Sequence, residues 1–126
     1  MKGDDIADRL LGFSVWVVRI VAQLPPTLEG KHAARQLIRS GTSGGANYEE
    51  ARGAESRADF AHKASLALEE VRESIYWLRL IQRANLSRSP KLPDCRGSRH
   101  PDIIGEGNEL AAILRSSVNT AKSRAG

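Results

Sequence analysis

The sequence predicts an all-α protein, an up-down four-helix bundle. Three observations favour this class. Apolar residues recur at alternating spacings of three and four along several stretches, which is the period of an amphipathic helix. Only 5% of the 126 residues are aromatic and 40% are hydrophobic; the hydrophobic fraction is rich in the small and branched aliphatics typical of helix-on-helix packing. Prolines, glycines and helix-capping residues divide the chain into four segments.

The first segment is predicted to form a helix over residues 4–24. Asp4 or Asp5 can cap its start, and Pro25 ends it because the residue before a proline is pushed out of the α region. Its apolar stripe consists of Ile6, Leu10, Phe13, Val17, Ile20 and Leu24. Three more valines, at 15, 18 and 21, lie off this stripe. A helix with two apolar faces has either two neighbours in the bundle or a partner chain.

The second helix is predicted over residues 28–52, with Thr27 as its cap and Gly53 at its end. Three glycines in its interior, Gly41, Gly44 and Gly45, each cost about 1 kcal/mol relative to alanine. One interpretation is a break near these glycines. The other is a continuous helix in which glycine lets neighbouring backbones approach closely, and the helical period of the surrounding residues favours it.

The third helix is predicted from Arg57 to about Ala84, after a capping-box-like start at Ser56. Three prolines and a glycine predict an irregular loop over residues 85–101, and Asp102 then caps a fourth helix. The length suits a single domain over residues 1–126. The predicted core comprises Phe13, Val17, Leu37, Phe60, Val71, Leu78 and Leu114.

Composition also bears on location. A lone cysteine, Cys95, excludes an internal disulfide and predicts a reducing, cytoplasmic environment. The apolar run over residues 10–24 is too short to cross a bilayer, which needs about 20 apolar residues, and Arg19 interrupts it. A buried amphipathic helix explains this run better than a signal peptide or a membrane span.

The polar residues do not form a pattern typical of catalysis. The three histidines, His32, His62 and His100, lie on different segments without other ligands at metal-binding spacing. Serines near His62 in sequence do not by themselves make a nucleophile–base pair. The sequence therefore predicts no enzyme, metal, cofactor or small-molecule substrate.

Four polar positions near the second and third helices are candidate site residues: Asn47, Glu50, Ser56 and Glu73. Asn47 and Glu50 lie three apart on one helical face. A buried carboxylate must be paired or hydrogen-bonded. The favoured interpretation is a structural polar network that holds the two helices in register, and the alternative is a ligand or partner site.

Basic residues are concentrated between residues 79 and 99, a stretch that contains six bases and one acid. The whole chain has a net charge of +4. Such a surface can contact phosphates. The candidate nucleic-acid-binding residues are Arg83, Arg88, Lys91, Arg96 and Arg99. Because the loop has no base-stacking aromatic, binding to RNA or DNA should be weak and independent of sequence. A merely solvated basic loop is the alternative.

The chain resembles the small four helix bundle protein family, which includes proteins encoded in intervening sequences of large-subunit ribosomal RNA genes. The matching positions are Asn47 and Glu50, then Ser56, Asp59 and Phe60, then Ala67 and Glu73. Ala51 replaces a usual glycine, and Glu69-Glu70 replace Gly-Ser. The resemblance implies an antiparallel four-helix bundle, commonly a homopentamer, and it does not imply catalysis.

Two functions follow from these observations. The first is a non-enzymatic, homo-oligomeric bundle of interaction or structural type. The second is a nucleic-acid-binding accessory protein. A related group, the accessory proteins of diversity-generating retroelements, uses a basic pentamer to bind nucleic acid and reverse transcriptase, and the resemblance extends to its fold.

Overall fold

The computed structural model describes residues 2–87 and 102–125, and these residues form four α-helices without a β-strand. The helices are α1 (Lys2–Val21), α2 (Leu28–Arg52), α3 (Arg57–Arg83) and α4 (Ile103–Ala125). The all-α four-helix prediction is confirmed. The predicted loop residues 88–101, including Cys95 and His100, lie outside the described residues.

Successive helices run antiparallel. The Ser14 hydroxyl of α1 donates a hydrogen bond to the carbonyl of Gly41 in α2, and Arg39 of α2 pairs with Glu73 of α3. Each helix packs on two others in the described chain: α1 on α2 and α4, and α3 on α2 and α4. This is the arrangement of an up-down bundle, with α1 diagonal to α3.

The core lies along the apolar stripes that the sequence indicated. Six of the seven predicted core residues are buried, each at most 4% exposed. Phe60 is half-buried instead: it lies in the first turn of α3, where it packs against both the main core and a small second cluster. Trp16 joins the main core from α1 although it lies off the predicted stripe.

The predicted cap residues of α2, α3 and α4 accept the expected hydrogen bonds. Thr27, Ser56 and Asp102 each accept from the backbone N–H three residues later. These bonds satisfy N–H groups that the helix itself leaves without partners.

The C-terminus of α3 closes in a Schellman motif. Asn85 adopts the left-handed conformation, with φ at 54°. The N–H of Leu86 donates to the carbonyl of Ile81 at 3.0 Å.

The boundaries predicted for α1 were wrong at both ends. The helix begins at Lys2, so Asp4 and Asp5 lie inside its first turn and stabilise the helix dipole instead of capping it. It ends at Val21, because Gln23 donates to the carbonyl of Ile20 and tightens the chain into a turn before Pro25. A stretch of three residues that was predicted to be helical therefore leads into the prolines.

The helix α2 runs unbroken through Gly41, Gly44 and Gly45, which confirms the continuous interpretation. A Cβ atom at Gly41 would lie 2.6 Å from Val17 Cγ1, and one at Gly44 would lie 2.9 Å from Val71 Cγ2. Glycine at these two positions therefore brings α2 close to α1 on one side and to α3 on the other.

Candidate functional site

The outward face of α1 carries three exposed aliphatic side chains. Leu11, Val15 and Val18 are 61%, 40% and 46% exposed. Their spacing of four and three places them on one stripe of the helix, away from the buried stripe. Scattered apolar residues on a surface need no explanation, but a contiguous apolar stripe marks an interaction site. Of the second apolar face predicted for α1, Val15 and Val18 are exposed, whereas Val21 is half-buried and packs against the core.

This stripe forms one side of a groove of about 820 Å³ between α1 and α2, which we call the α1–α2 groove. The side of the groove formed by α2 is low because its residues are small: Thr42, Gly45 and Ala46. Three acids and one base line the groove as well, namely Asp4, Asp8, Glu49 and Arg19. The surface thus combines an apolar ridge on α1 with an adjacent shallow floor on α2 and a charged rim.

A buried ion pair connects α1 to α4. Arg9 and Glu106 are only 5% and 1% exposed, and Arg9 Nη2 lies 2.6 Å from Glu106 Oε1. Arg9 Nε donates a second hydrogen bond to Glu106 Oε2 at 3.2 Å, and Glu109 lies 3.1 Å from the same guanidinium. The hydrogen bond from Arg9 to Glu106 raises the pKa of the arginine above its usual value, against the opposing effect of burial.

The sequence reasoning missed this pair. Its signal was available, because Arg9 lies three residues after Ile6 and four before Phe13, within the buried stripe of α1. Glu106 occupies the equivalent position on α4, between Ile103 and Leu110. Opposite charges at core positions of two helices predict a buried pair, because burying either charge alone is very costly.

The four predicted polar positions do not share one hydrogen-bond network in the described part of the chain. Ser56 caps α3, and Glu73 pairs with Arg39 across the α2–α3 interface, as Glu70 does at 3.0 Å. Asn47 is half-buried and Glu50 is exposed. Glu73 thus links α2 and α3, while a register role for Asn47 and Glu50 stays a prediction.

The predicted nucleic-acid-binding residues fall mostly outside the described residues, where Arg88, Lys91, Arg96 and Arg99 lie. Arg83 is exposed in the last turn of α3. Arg72 and Arg79 lie on the same face of this helix, since residues separated by four, seven and eleven positions are aligned on a helix. Arg72, Arg79 and Arg83 therefore form an exposed basic face on α3, and the first two were not among the predicted binding residues.

No group of three or more His, Cys, Asp or Glu side chains in residues 2–87 and 102–125 is placed to hold a metal ion. In these ranges, none of the helices has the length and apolar character needed to cross a bilayer.

The geometry defines a class of protein, an antiparallel helical bundle with an apolar groove on its surface and a buried ion pair between its first and last helices. The family model of the 23S rRNA-intervening sequence protein matches residues 5–96. The chain belongs to this family, which confirms the family predicted from the motif residues. No catalytic family is indicated.

A solved structure supports the same assignment. The crystal structure of a protein with unknown function from the S23 ribosomal protein family of Bacteroides thetaiotaomicron is similar to this chain. The two share 34% sequence identity with a TM-score of 0.73. The similarity covers 94% of this chain and 99% of the other. A comparison with curated proteins gave no match.

Proposed function

We propose that the protein is a non-enzymatic, homo-oligomeric helical bundle of interaction or structural type that acts in the cytoplasm. The observation that carries this proposal is the apolar α1–α2 groove. Burial of apolar surface contributes about 25 cal/mol per Å², so covering the exposed ridge of α1 favours association. The occupant we propose is a second copy of this chain.

The shape of the groove supports self-association. The ridge of Leu11, Val15 and Val18 on α1 and the floor of Gly45 and Ala46 on α2 are the two sides of one groove. A second copy that places its ridge on the floor makes a head-to-tail contact, which closes into a ring when the rotation between copies permits. The resemblance to ring-forming proteins supplies the number five, and we propose a homopentamer on that basis.

Light scattering coupled to size-exclusion chromatography tests this proposal at micromolar concentrations. The wild-type protein should elute as an oligomer, and Leu11→Glu with Val18→Glu should dissociate it while helicity by circular dichroism is retained. A matched control is Leu28→Glu with Leu66→Glu, which changes the charge equally at exposed leucines outside the groove. A monomeric wild type, or equal dissociation by both variants, would contradict the proposal.

A second candidate function is a nucleic-acid-binding accessory protein, a partner of RNA or DNA and of a reverse transcriptase, acting through a basic oligomeric surface. The exposed basic face of α3 favours it, because Arg72, Arg79 and Arg83 form no ion pair with described residues. In an oligomer these charges recur in every copy, so a modest patch gains avidity.

A mobility-shift assay at low salt tests this second function. Affinity for RNA or DNA should fall steeply with added salt, because phosphate contacts release counterions. Charge reversal at Arg88 and Arg96, in the predicted loop, should weaken binding to all sequences about equally. Absence of any shift at low salt would contradict the nucleic-acid function and leave the structural one.

A further inference from the structure

A second groove, of about 530 Å³, lies between α3 and α4, and we call it the α3–α4 groove. Helix α3 contributes Arg72, Tyr76 and Arg79, and helix α4 contributes Asn108 and Arg115. In an up-down bundle the α3–α4 pair lies on the opposite side from the α1–α2 pair. This groove is therefore a separate surface from the proposed self-association site.

The charge of the α3–α4 groove has a single sign. Among the described residues no carboxylate lines it, and its three arginines have no ion pair with any of these residues. Other arginines of this bundle are neutralised: Arg9, Arg39 and Arg52 each contact two carboxylates. Arginines that converge on one groove without a carboxylate partner in the described part of the chain complement a polyanion, because the guanidinium fork matches phosphate oxygens.

The groove also presents an aromatic ring to solvent. Tyr76 is 60% exposed, and the neighbouring Trp77 packs against it edge-on, with ring centroids 5.1 Å apart and planes at 86°. Arg72 precedes Tyr76 by one helical turn and Arg79 follows it by nearly one turn, so cationic groups flank the ring on the same face. Aromatic rings between backbone-binding cations are the pattern of single-strand binding sites, where bases stack on the ring.

We infer that the α3–α4 groove binds single-stranded nucleic acid, with a base stacked on Tyr76 and phosphates bound by Arg72, Arg79 and Arg115. The occupant is single-stranded because the bases of a duplex are stacked on one another and do not offer a free face to a side chain. This inference rests on the second candidate function and deepens it, since it adds a site, a strand state and a stacking residue. Of the nucleic-acid-binding residues predicted from the sequence, all but Arg83 lie in the predicted loop, which has no Phe, Tyr or Trp.

Fluorescence anisotropy with a labelled single-stranded RNA and a duplex of equal length tests the inference at low salt, on the full chain. Tyr76→Leu should weaken single-strand binding on the order of tenfold, and Tyr76→Phe, which keeps the ring, should preserve it. Neither substitution should change affinity for the duplex. Circular dichroism and the oligomeric mass of each variant establish that the fold is intact.

The arginines are tested by Arg72→Glu with Arg115→Glu. Loss of two phosphate contacts should make the salt dependence of single-strand binding shallower by about 1.4, since each contact contributes about 0.7 to the slope. The matched control is Lys31→Glu with Arg57→Glu, an equal change of charge at exposed positions in the first turns of α2 and α3. The control should bind more tightly than the groove variant.

These experiments distinguish failure of the proposed site in the α3–α4 groove from failure of the second candidate function. If the wild type binds no nucleic acid at low salt, both the second candidate function and the groove are overturned. If the wild type binds but Tyr76→Leu has no effect, or the groove and control variants weaken binding equally, the groove is overturned while the function stands. Equal loss of single-strand and duplex affinity on Tyr76→Leu also overturns the single-strand assignment.

Discussion

Three interior glycines of α2, Gly41, Gly44 and Gly45, should respond very differently to alanine, although they lie within five residues of one another. Alanine at any helix-interior position gains about 1 kcal/mol of helix propensity over glycine. The added methyl group must also fit between helices, and misfit in a packed core costs about 1–3 kcal/mol. Whether each substitution raises or lowers the free energy of unfolding therefore depends on the atoms that the new Cβ contacts.

Gly41 leaves the least room. A Cβ there would lie 2.6, 2.8 and 3.0 Å from three atoms of Val17, which is fully buried. A β-branched residue in a helix has one strongly preferred rotamer, so Val17 cannot rotate away cheaply. We expect Gly41→Ala to lose about 2 kcal/mol of unfolding free energy, because misfit near the top of its range exceeds the propensity gain.

The other two positions are more permissive. At Gly44 one contact of 2.9 Å, to a terminal methyl of Val71, is tight, and the change should fall within about 1 kcal/mol of zero. At Gly45 every neighbour, including Leu10, lies at 3.6 Å. This is ordinary van der Waals contact, so Gly45→Ala should stabilise the fold by up to about 1 kcal/mol.

Urea unfolding followed by circular dichroism measures all three variants. Because an oligomer couples stability to concentration, each is measured at two protein concentrations. The reasoning is refuted if Gly45→Ala is the most destabilising of the three, or if Gly41→Ala stabilises the protein. Either result would mean that helix propensity or assembly, and not the distance between helices, determines the residue at these positions.

Three further perturbations test other parts of the bundle. Arg9→Met should cost about 3–5 kcal/mol in urea unfolding because it leaves the buried Glu106 charge unpaired; adding Glu106→Leu should restore most of this, and no recovery would contradict the reasoning. Burial raises the pKa of Tyr48, so the unfolded chain ionises first. Stability is then unaffected below about pH 10 and falls above it; in melting experiments Tyr48→Phe should reduce that alkaline loss. Exposed Glu50 should tolerate alanine within about 0.5 kcal/mol, and a larger fall in melting temperature would favour its predicted register role.

Sequence reasoning predicted the helices well because the signals are local. The caps at Thr27, Ser56 and Asp102 depend on side chains three residues from their partners, and the buried stripes depend on the helical period. The ends of α1 were less predictable, because a turn stabilised by backbone hydrogen bonds at Gln23 competes with one more turn of helix. Nearly every residue has the same backbone N–H and C=O groups. The sequence therefore gives little indication of which backbone hydrogen bonds form at the end of the helix.

The candidate surfaces were harder to predict because they depend on the register between distant helices. Arg9 and Glu106 are 97 positions apart. The sequence pattern does not determine how the segment between α3 and α4 positions the last helix. The sequence places each residue on a core stripe of its own helix. Predicting that the two side chains meet also requires the offset of α1 and α4 along the bundle axis, which the sequence does not give. The same holds for Tyr76, which becomes part of a groove only when α4 brings Asn108 and Arg115 beside it.

The motif residues illustrate the opposite case, in which a family pattern points to positions whose roles differ. Ser56 acts locally, as a cap. Glu73 acts between helices, through Arg39. Glu50 is exposed in the single chain. Its contacts within one chain therefore do not explain why the family motif includes it. Contact with a second copy is such a reason, and Glu50→Ala in the light-scattering assay would detect it as dissociation without loss of helicity.

The positions of the two grooves make the proposed activities compatible within one assembly. Helix α1 contacts α2 and α4 and is diagonal to α3, so copies that associate through the outward face of α1 leave the outward face of α3 uncovered. Each copy would then present Tyr76 and its flanking arginines to solvent, and the assembly would repeat this basic surface around its circumference. Binding would gain avidity only for a strand long enough to reach two grooves. Single-strand affinity should therefore rise with oligonucleotide length in the wild type but not in Leu11→Glu with Val18→Glu, and an equal rise in both would show that the grooves act independently of assembly.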